Sequence, residues 1–320
     1  MRRILAAVAA ATLLLAGCSS DGESPIETVA PGDPAVPEVV TGTPGEDLPA
    51  VEGEFGEAPI VTFPDSDPSD DLTVGVAIEG DGAEVESGDM LVTHYQVGVW
   101  GEEPVQSSFT SPTPAAFALD QLISGWRYGL LGTHVGDRVV LSIPSEWAYP
   151  EGNEQLGVEP GDVLVFVVDI LDSRPGDEYV GEANSATGEL PAGVTLSAEP
   201  GTPAIPLIAE DAPEPEDVDV YVVAEGTGAP IASGDAIVVA YGASTWSNAP
   251  YGSSWSSVTW DGESDPYGVQ ALIVLTIGAG SPFDDLEGVP VGSRVLFLFP
   301  GDEESSTESQ AVLADVVTVY

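Results

Sequence analysis

From residue 59 onward the chain is built of short apolar runs rich in Val, Ile, Leu and Tyr, each closed off by Gly, Asp or Pro. Residues 72–78, 90–99, 138–143 and 163–171 are the clearest of these runs, and their β-branched and aromatic content predicts strands. Only residues 119–131, ending before Gly132, combine the length and the apolar spacing of a helix. Many strands around one helix is an α+β plan, with a sheet curved over the helix. Residues 152–161 form a polar, glycine-containing loop and so a candidate functional edge. Strand-like runs resume at 218–224, 236–243, 272–277, 294–299 and 311–320.

This second set of runs is a copy of the first. Glu79, Gly80, Gly82, Gly88, Asp89, Tyr95, Ser107 and Ser108 recur at one constant offset as Glu225, Gly226, Gly228, Gly234, Asp235, Tyr241, Ser253 and Ser254. An ungapped match with Gly and Asp at turn positions marks a duplicated domain, and 320 residues suffice for two cores. The expected organisation is a leader at 1–17, a structureless tether at 18–57, a first domain at 58–174, a linker at 175–200 and a shorter second domain at 201–320.

The N-terminus changes the picture of where this protein works. Arg2 and Arg3 precede an apolar run that ends in Leu15-Ala16-Gly17-Cys18, the three-part layout of a secretory signal, too short to span a bilayer. Leu-Ala-Gly-Cys resembles the bacterial lipobox, which implies that Cys18 carries the lipid of a membrane-anchored, extracytoplasmic protein. Two acyl chains on one residue hold stably. Cys18 is the only cysteine, so no intramolecular disulfide forms. The segment after it is Pro, Gly, Glu, Ser and Thr with scattered valines, without a sustained period, and reads as the tether. Fifty-four carboxylates against six arginines and no lysine give a formal charge of −48, which repels phosphate backbones and excludes nucleic acid as a partner.

Between 92 and 171 the chain reads VTHY, QSS, FALDQLISGWRYGL, VGDRVVLSIPSEWAY and GVEPGDVLVFVVDIL. In order and in spacing these pieces resemble the FKBP-type peptidyl-prolyl cis–trans isomerases. The resemblance covers 59–174 well and 200–320 in worn form, and it implies two FKBP-like domains, each a curved antiparallel sheet around one short helix. It implies Trp126 as the floor beneath a substrate proline, with Tyr95, Phe117 and Phe166 as aromatic walls. Leu122 precedes Ile123, whose backbone N–H faces a substrate carbonyl. Tyr149 donates its hydroxyl to the substrate backbone, and Val158 closes the rim. His94, beside the wall tyrosine, is structural in this scheme. The family reaction rotates an X-Pro amide without making or breaking a bond, so no nucleophile, metal or cofactor is expected.

There are departures from the family pattern. Val105-Gln106 stands where the family has Phe-Asp, so Val105 takes that place in the substrate-binding site, with one aromatic wall and a carboxylate acceptor for the tyrosine lost. Ala115, Pro150 and Glu159-Pro160 also differ. In the second copy Tyr241 survives, Ala240 replaces the histidine, Tyr251-Gly252 replaces Phe-Asp, Phe283 falls near the tryptophan position and Ala314 takes the last phenylalanine. The Ala-Tyr piece is absent there, so the second domain reads as catalytically silent. Trp246, Tyr251, Trp255, Trp260 and Tyr267 make it aromatic, either as a binding face or as filling for a collapsed pocket. Asp65, Asp67, Asp70 and Asp71 lack the spacing of a calcium loop, and two histidines cannot build a usual zinc site. The expected protein is therefore a monomeric isomerase that acts on proline-containing clients during folding of exported chains. The rival reading is a non-catalytic chaperone or scaffold with the same groove.

Overall fold

The computed structural model describes residues 36–182, 188–260, 262–266, 268–302 and 307–320. The expected leader, Cys18 and the start of the tether lie outside the described residues, as does Tyr267. The chain divides into two compact units that part after Tyr179.

The first unit holds β1 (Val39–Thr41), β2 (Ala50–Glu52), β3 (Ile60–Thr62), β4 (Leu72–Ile78), β5 (Asp89–Val99), β6 (Gln106–Ser107), β7 (Ala115–Ala118), α1 (Ser124–Gly129), β8 (Arg138–Ile143) and β9 (Leu164–Pro175). Its main sheet runs β1-β4-β8-β9-β5-β6, with β7 paired beside β6 on β5. All its pairings are antiparallel except β1 with β4. Strand alternation sorts the residues into two faces. Leu91, Tyr95, Val97, Val139, Leu141, Phe166 and Val168 point into one buried cluster with Leu119, Ile123 and Trp126. Val140 and Val165 point the other way, into a smaller cluster around Leu48.

That second cluster corrects the expected tether. Residues 36–57 are not all structureless: β1 pairs with β4, β2 pairs with β3, and Leu48 is fully buried. What holds this strap is tertiary. Arg138 and Asp169, on the outer face of β8 and β9, form a fully buried two-point ion pair, with Nε–Oδ1 at 2.6 Å and Nη2–Oδ2 at 2.7 Å. The remaining guanidinium donors reach the Gly53 and Glu57 carbonyls, and the Gly56 N–H donates to Asp169 Oδ2. A buried pair needs such partners, because an unmet donor or acceptor carries its full desolvation cost.

The expected helix over 119–131 is also corrected. A 3₁₀ turn covers Leu119–Gln121, the backbone extends at Leu122 and Ile123, and α1 occupies only Ser124–Gly129. The apolar spacing nonetheless marks the buried face, since Leu119, Leu122, Ile123, Trp126 and Leu130 are all inside. Two glycines let α1 lie directly on β8. A Cβ at Gly125 would overlap the Ile143 side chain, and one at Gly129 would overlap Leu141. Helix propensity favours Gly→Ala by about 1 kcal/mol, whereas overpacking costs about 1–3 kcal/mol. Gly125→Ala is therefore expected to lower the denaturant midpoint, not raise it; a raised midpoint in urea would show that Ile143 gives way freely.

The second unit holds β10 (Val194–Leu196), β11 (Pro206–Ile208), β12 (Asp219–Ala224), β13 (Ala236–Thr245), β14 (Pro250–Ser253), β15 (Ile273–Thr276), β16 (Arg294–Phe299) and β17 (Gln310–Val319). Its sheet runs β12-β16-β17-β13-β14 with β15 on β13, the same order as β4-β8-β9-β5-β6 with β7 on β5. Here too a buried ion pair, Arg294 with Asp315, binds the carbonyls of Glu199 and Thr202 and the Gly181 N–H. The helix expected in this unit is only a 3₁₀ segment, Pro282–Leu286, among the described residues. The expected linker at 175–200 is divided as well. Tyr179 is fully buried in the first unit and donates to the Met90 carbonyl, while β10 pairs with β11 in the second.

Candidate active site

Trp126 sits on α1 with three rings set edge-on around it. Centroid distances are 5.8 Å to Tyr95, 5.6 Å to Phe117 and 5.3 Å to Phe166, with interplanar angles of 85°, 75° and 86°. Each wall comes from a different strand: Tyr95 from β5, Phe117 from β7 and Phe166 from β9. Edge-to-face contact sets the positive edge of one ring against the negative face of the other and contributes about 0.5–1.5 kcal/mol per pair beyond burial. Ile123, Leu122, Tyr149 and Val158 belong to the same buried cluster. The structure thus brings together eight of the nine residues that the family pattern selects.

Val105 is the exception. It is 43% exposed and outside the cluster, because it precedes β6 at the rim of the sheet. The Gln106 Oε1 beside it is buried without a hydrogen-bond partner, as is the Trp126 Nε1. A second correction concerns the cup itself. The resemblance implies an indole open to a substrate, yet Trp126 has no exposed surface. Leu156 and Val158, from the loop at 152–161, lie in the cluster with it, as do Ala148 and Tyr149. Burial of these apolar side chains over the indole removes the rings from water, which the hydrophobic effect favours. Phe117 is the one half-buried wall, Tyr95 and Phe166 being buried.

Ser108, noted only as a repeated residue in the sequence, fixes the wall tyrosine. Its Oγ accepts the Tyr95 N–H at 2.8 Å and donates to the Tyr95 carbonyl at 3.3 Å. Ser254 makes the same pair of bonds to Tyr241 in the second unit. The duplicated Ser-Ser is therefore a backbone clamp, and its signal was the constant spacing from the tyrosine. Burial pushes the Tyr95 hydroxyl above the ordinary tyrosine range, keeping it neutral.

His94 points away from the indole, stacked on Phe109 at 5.3 Å with Nδ1 3.2 Å from Ser108 Oγ. Burial holds its pKa below the ordinary imidazole value, against the opposing pull of the Asp169 charge. The unfolded chain then takes up this proton at higher pH than the folded one. The stability due to neutral His94 is present above about pH 6.5 and is lost as the pH falls below it. The urea midpoint is expected to drop between pH 7 and pH 5, and less steeply in His94→Gln; equal slopes would remove His94 from the acid response.

Among its described residues the second unit lacks this box. Phe283 packs on Phe297 and Phe299 instead, at 4.9 Å and 6.3 Å. Trp255 and Trp260 are buried at 2% and 5% exposure, so the broad aromatic binding face that was one expectation is mostly core.

Comparison with known proteins identifies the family from the sequence side. Residues 82–171 match the family model described as FKBP-type peptidyl-prolyl cis-trans isomerase. The FK506-binding protein of Streptomyces anulatus is 40% identical over 121 residues, which is 36% of this chain and 96% of that protein. A probable FK506-binding protein of Corynebacterium glutamicum is 38% identical over 118 residues, covering 36% of this chain and 98% of its own. The crystal structure of FkpA from Escherichia coli shares 33% identity, covers 33% of this chain and 49% of that one, and aligns with a TM-score of 0.30. With near-complete coverage of two relatives and the indole boxed by the expected rings, the chain belongs to the FKBP-type peptidyl-prolyl cis–trans isomerases.

Proposed function

We propose that isomerisation takes place over Trp126 and serves exported polypeptides at the outer face of the membrane, with Cys18 as the lipid anchor. The box of edge-on rings around Trp126 carries the catalytic part of this reading. Rotation about an X-Pro amide crosses a barrier of roughly 18–20 kcal/mol set by resonance across the C–N bond. The twisted state loses that charge separation, so a dry aromatic surround favours it over the planar ground state. A thousandfold acceleration needs only about 4 kcal/mol of such preference. Tyr149, neighbouring the box, holds the substrate backbone, and Ile123 presents its N–H from the extended step before α1. Unaided, the X-Pro step takes tens of seconds or more, long enough to limit the folding of exported chains.

The second unit, in this proposal, is a worn duplicate without catalysis. The identical strand order, ion pair and serine clamp support the duplication, and Phe283 in a different ring packing supports the silence. The fully covered indole favours a second reading, in which the groove holds clients without turning them. A protease-coupled assay of the full-length chain on a short X-Pro peptide separates the two. Acceleration is expected, and suppression of client aggregation without acceleration would support the holdase. Cys18→Ser is expected to move the protein out of the membrane fraction of a bacterial host while kcat/KM stays unchanged. Retention of the variant on the membrane would overturn the anchor.

A further inference from the structure

In the second unit, β10 and β11 lie among the segments that pack against the sheet face opposite Phe283, forming a second apolar cluster. Toward β12, the edge strand of that sheet, this cover leaves a cleft of about 390 Å³. Its apolar lining includes Leu298 and Val194, and two half-buried aromatic side chains, Tyr221 and Trp246, line it as well. The Trp246 Nε1 donates to the Ala212 carbonyl at 3.3 Å, which pins the indole in place. Four carboxylates, Glu214, Glu216, Asp217 and Asp219, line the same cleft and are exposed.

Among the described residues no Lys or Arg is left to meet them. There is no lysine, and each of the four arginines among the described residues is already paired, with Asp120, Asp169, Asp172 and Asp315. A metal ion does not fit either, since no group of three or more His, Cys, Asp and Glu with metal-binding geometry exists among the described residues. Glu214 accepts a hydrogen bond from Ser309 Oγ at 2.8 Å but meets no cation among the described residues. Aromatic side chains beside carboxylates without a cationic partner suit an organic cation, held by cation–π and Coulomb attraction together. The apolar lining and the volume suit a short stretch of polypeptide rather than a lone ion.

We propose that this cleft binds an extended polypeptide segment in which a Lys or Arg side chain, flanked by apolar residues, enters between Tyr221 and Trp246. The second unit is then a client-holding module, which goes beyond the isomerase reading and does not depend on it. Binding of this kind gathers unfolded basic segments by charge and retains them by apolar and aromatic contact.

The test uses the full-length chain and a fluorescein-labelled, proline-free decapeptide containing Leu-Arg-Leu-Arg in a Gly/Ser background, followed by anisotropy at low and moderate salt. The missing proline keeps the probe out of the box around Trp126. The Arg probe is expected to bind at least tenfold tighter than its Leu-Gln-Leu-Gln counterpart. The rim variant Glu216→Gln/Asp217→Asn/Asp219→Asn, which changes only exposed side chains, is expected to lose at least tenfold. Asp65→Asn/Asp67→Asn/Asp70→Asn makes the same charge change on the first unit and should leave affinity within about twofold. Trp246→Leu, checked for folding by near-ultraviolet circular dichroism, should lose as much as the rim variant. Equal losses in the two charge variants would reduce the effect to the overall field of the protein and overturn the site. Equal binding of the Gln probe, or a folded Trp246→Leu that binds normally, would also overturn it.

Discussion

Trp126→Ala in the full-length chain is expected to bring isomerisation down to the uncatalysed rate, a loss of at least a hundredfold in kcat/KM by the protease-coupled assay. The indole packs against Tyr95, Phe117 and Phe166 together, and it has no exposed surface. Its removal takes away both the floor and the contacts that hold the walls upright. The same change costs about 3–5 kcal/mol of stability through lost burial and a cavity, within the 5–15 kcal/mol of an ordinary domain. Circular dichroism at the assay temperature separates loss of fold from loss of chemistry. Trp126→Phe keeps a ring for the walls and is expected to retain part of the rate. Because Phe283 is packed against other phenylalanines, the second unit should supply no activity of its own. A folded Trp126→Ala chain that still accelerates isomerisation by more than a few per cent of the parent would place the chemistry elsewhere.

Much of this site could be read in the sequence because its residues lie in elements whose pattern is local. Strands 72–78, 138–143 and 294–299 match the predicted bounds, since β-branched runs between Gly and Asp turns leave little choice of period. Tyr95, Phe166 and Leu141 then share a face by alternation alone. The helix was legible as a buried face but not as a backbone. Spacing at Leu119, Leu122, Ile123 and Trp126 suits one continuous helix, whereas the chain extends at Leu122 and Ile123, and nothing in that spacing records the step. The rim was legible only in part, through Val158. Leu156 is one apolar residue in a polar loop, and only its packing in the cluster with Trp126 reveals its part in covering the indole.

The strap over 39–57 escaped for a related reason: it is held by backbone groups, which carry no sequence signature, and by the fully buried Leu48, a lone leucine in a polar stretch. Its anchors, Arg138 and Asp169, look in the sequence like ordinary strand charges. Asp169→Asn is expected to lower stability by about 3–5 kcal/mol, because it leaves the guanidinium buried without its counter-ion. Arg127→Ala, which breaks an exposed pair with Asp120 at 3.3 Å, should cost under about 1 kcal/mol. The double change Arg138→Met/Asp169→Leu keeps the volume, removes both charges and is expected to recover most of the global loss. It cannot recover the strap, since Gly53, Gly56 and Glu57 lose every partner they have in that pair. The folded double variant should therefore be cut by protease near 53–57 well before the parent, with its chemical midpoint close to normal. Protection of those residues in the double variant would mean that Leu48 and the β1–β4 and β2–β3 pairings hold the strap, and that the ion pair does no more than keep itself from being buried unpaired.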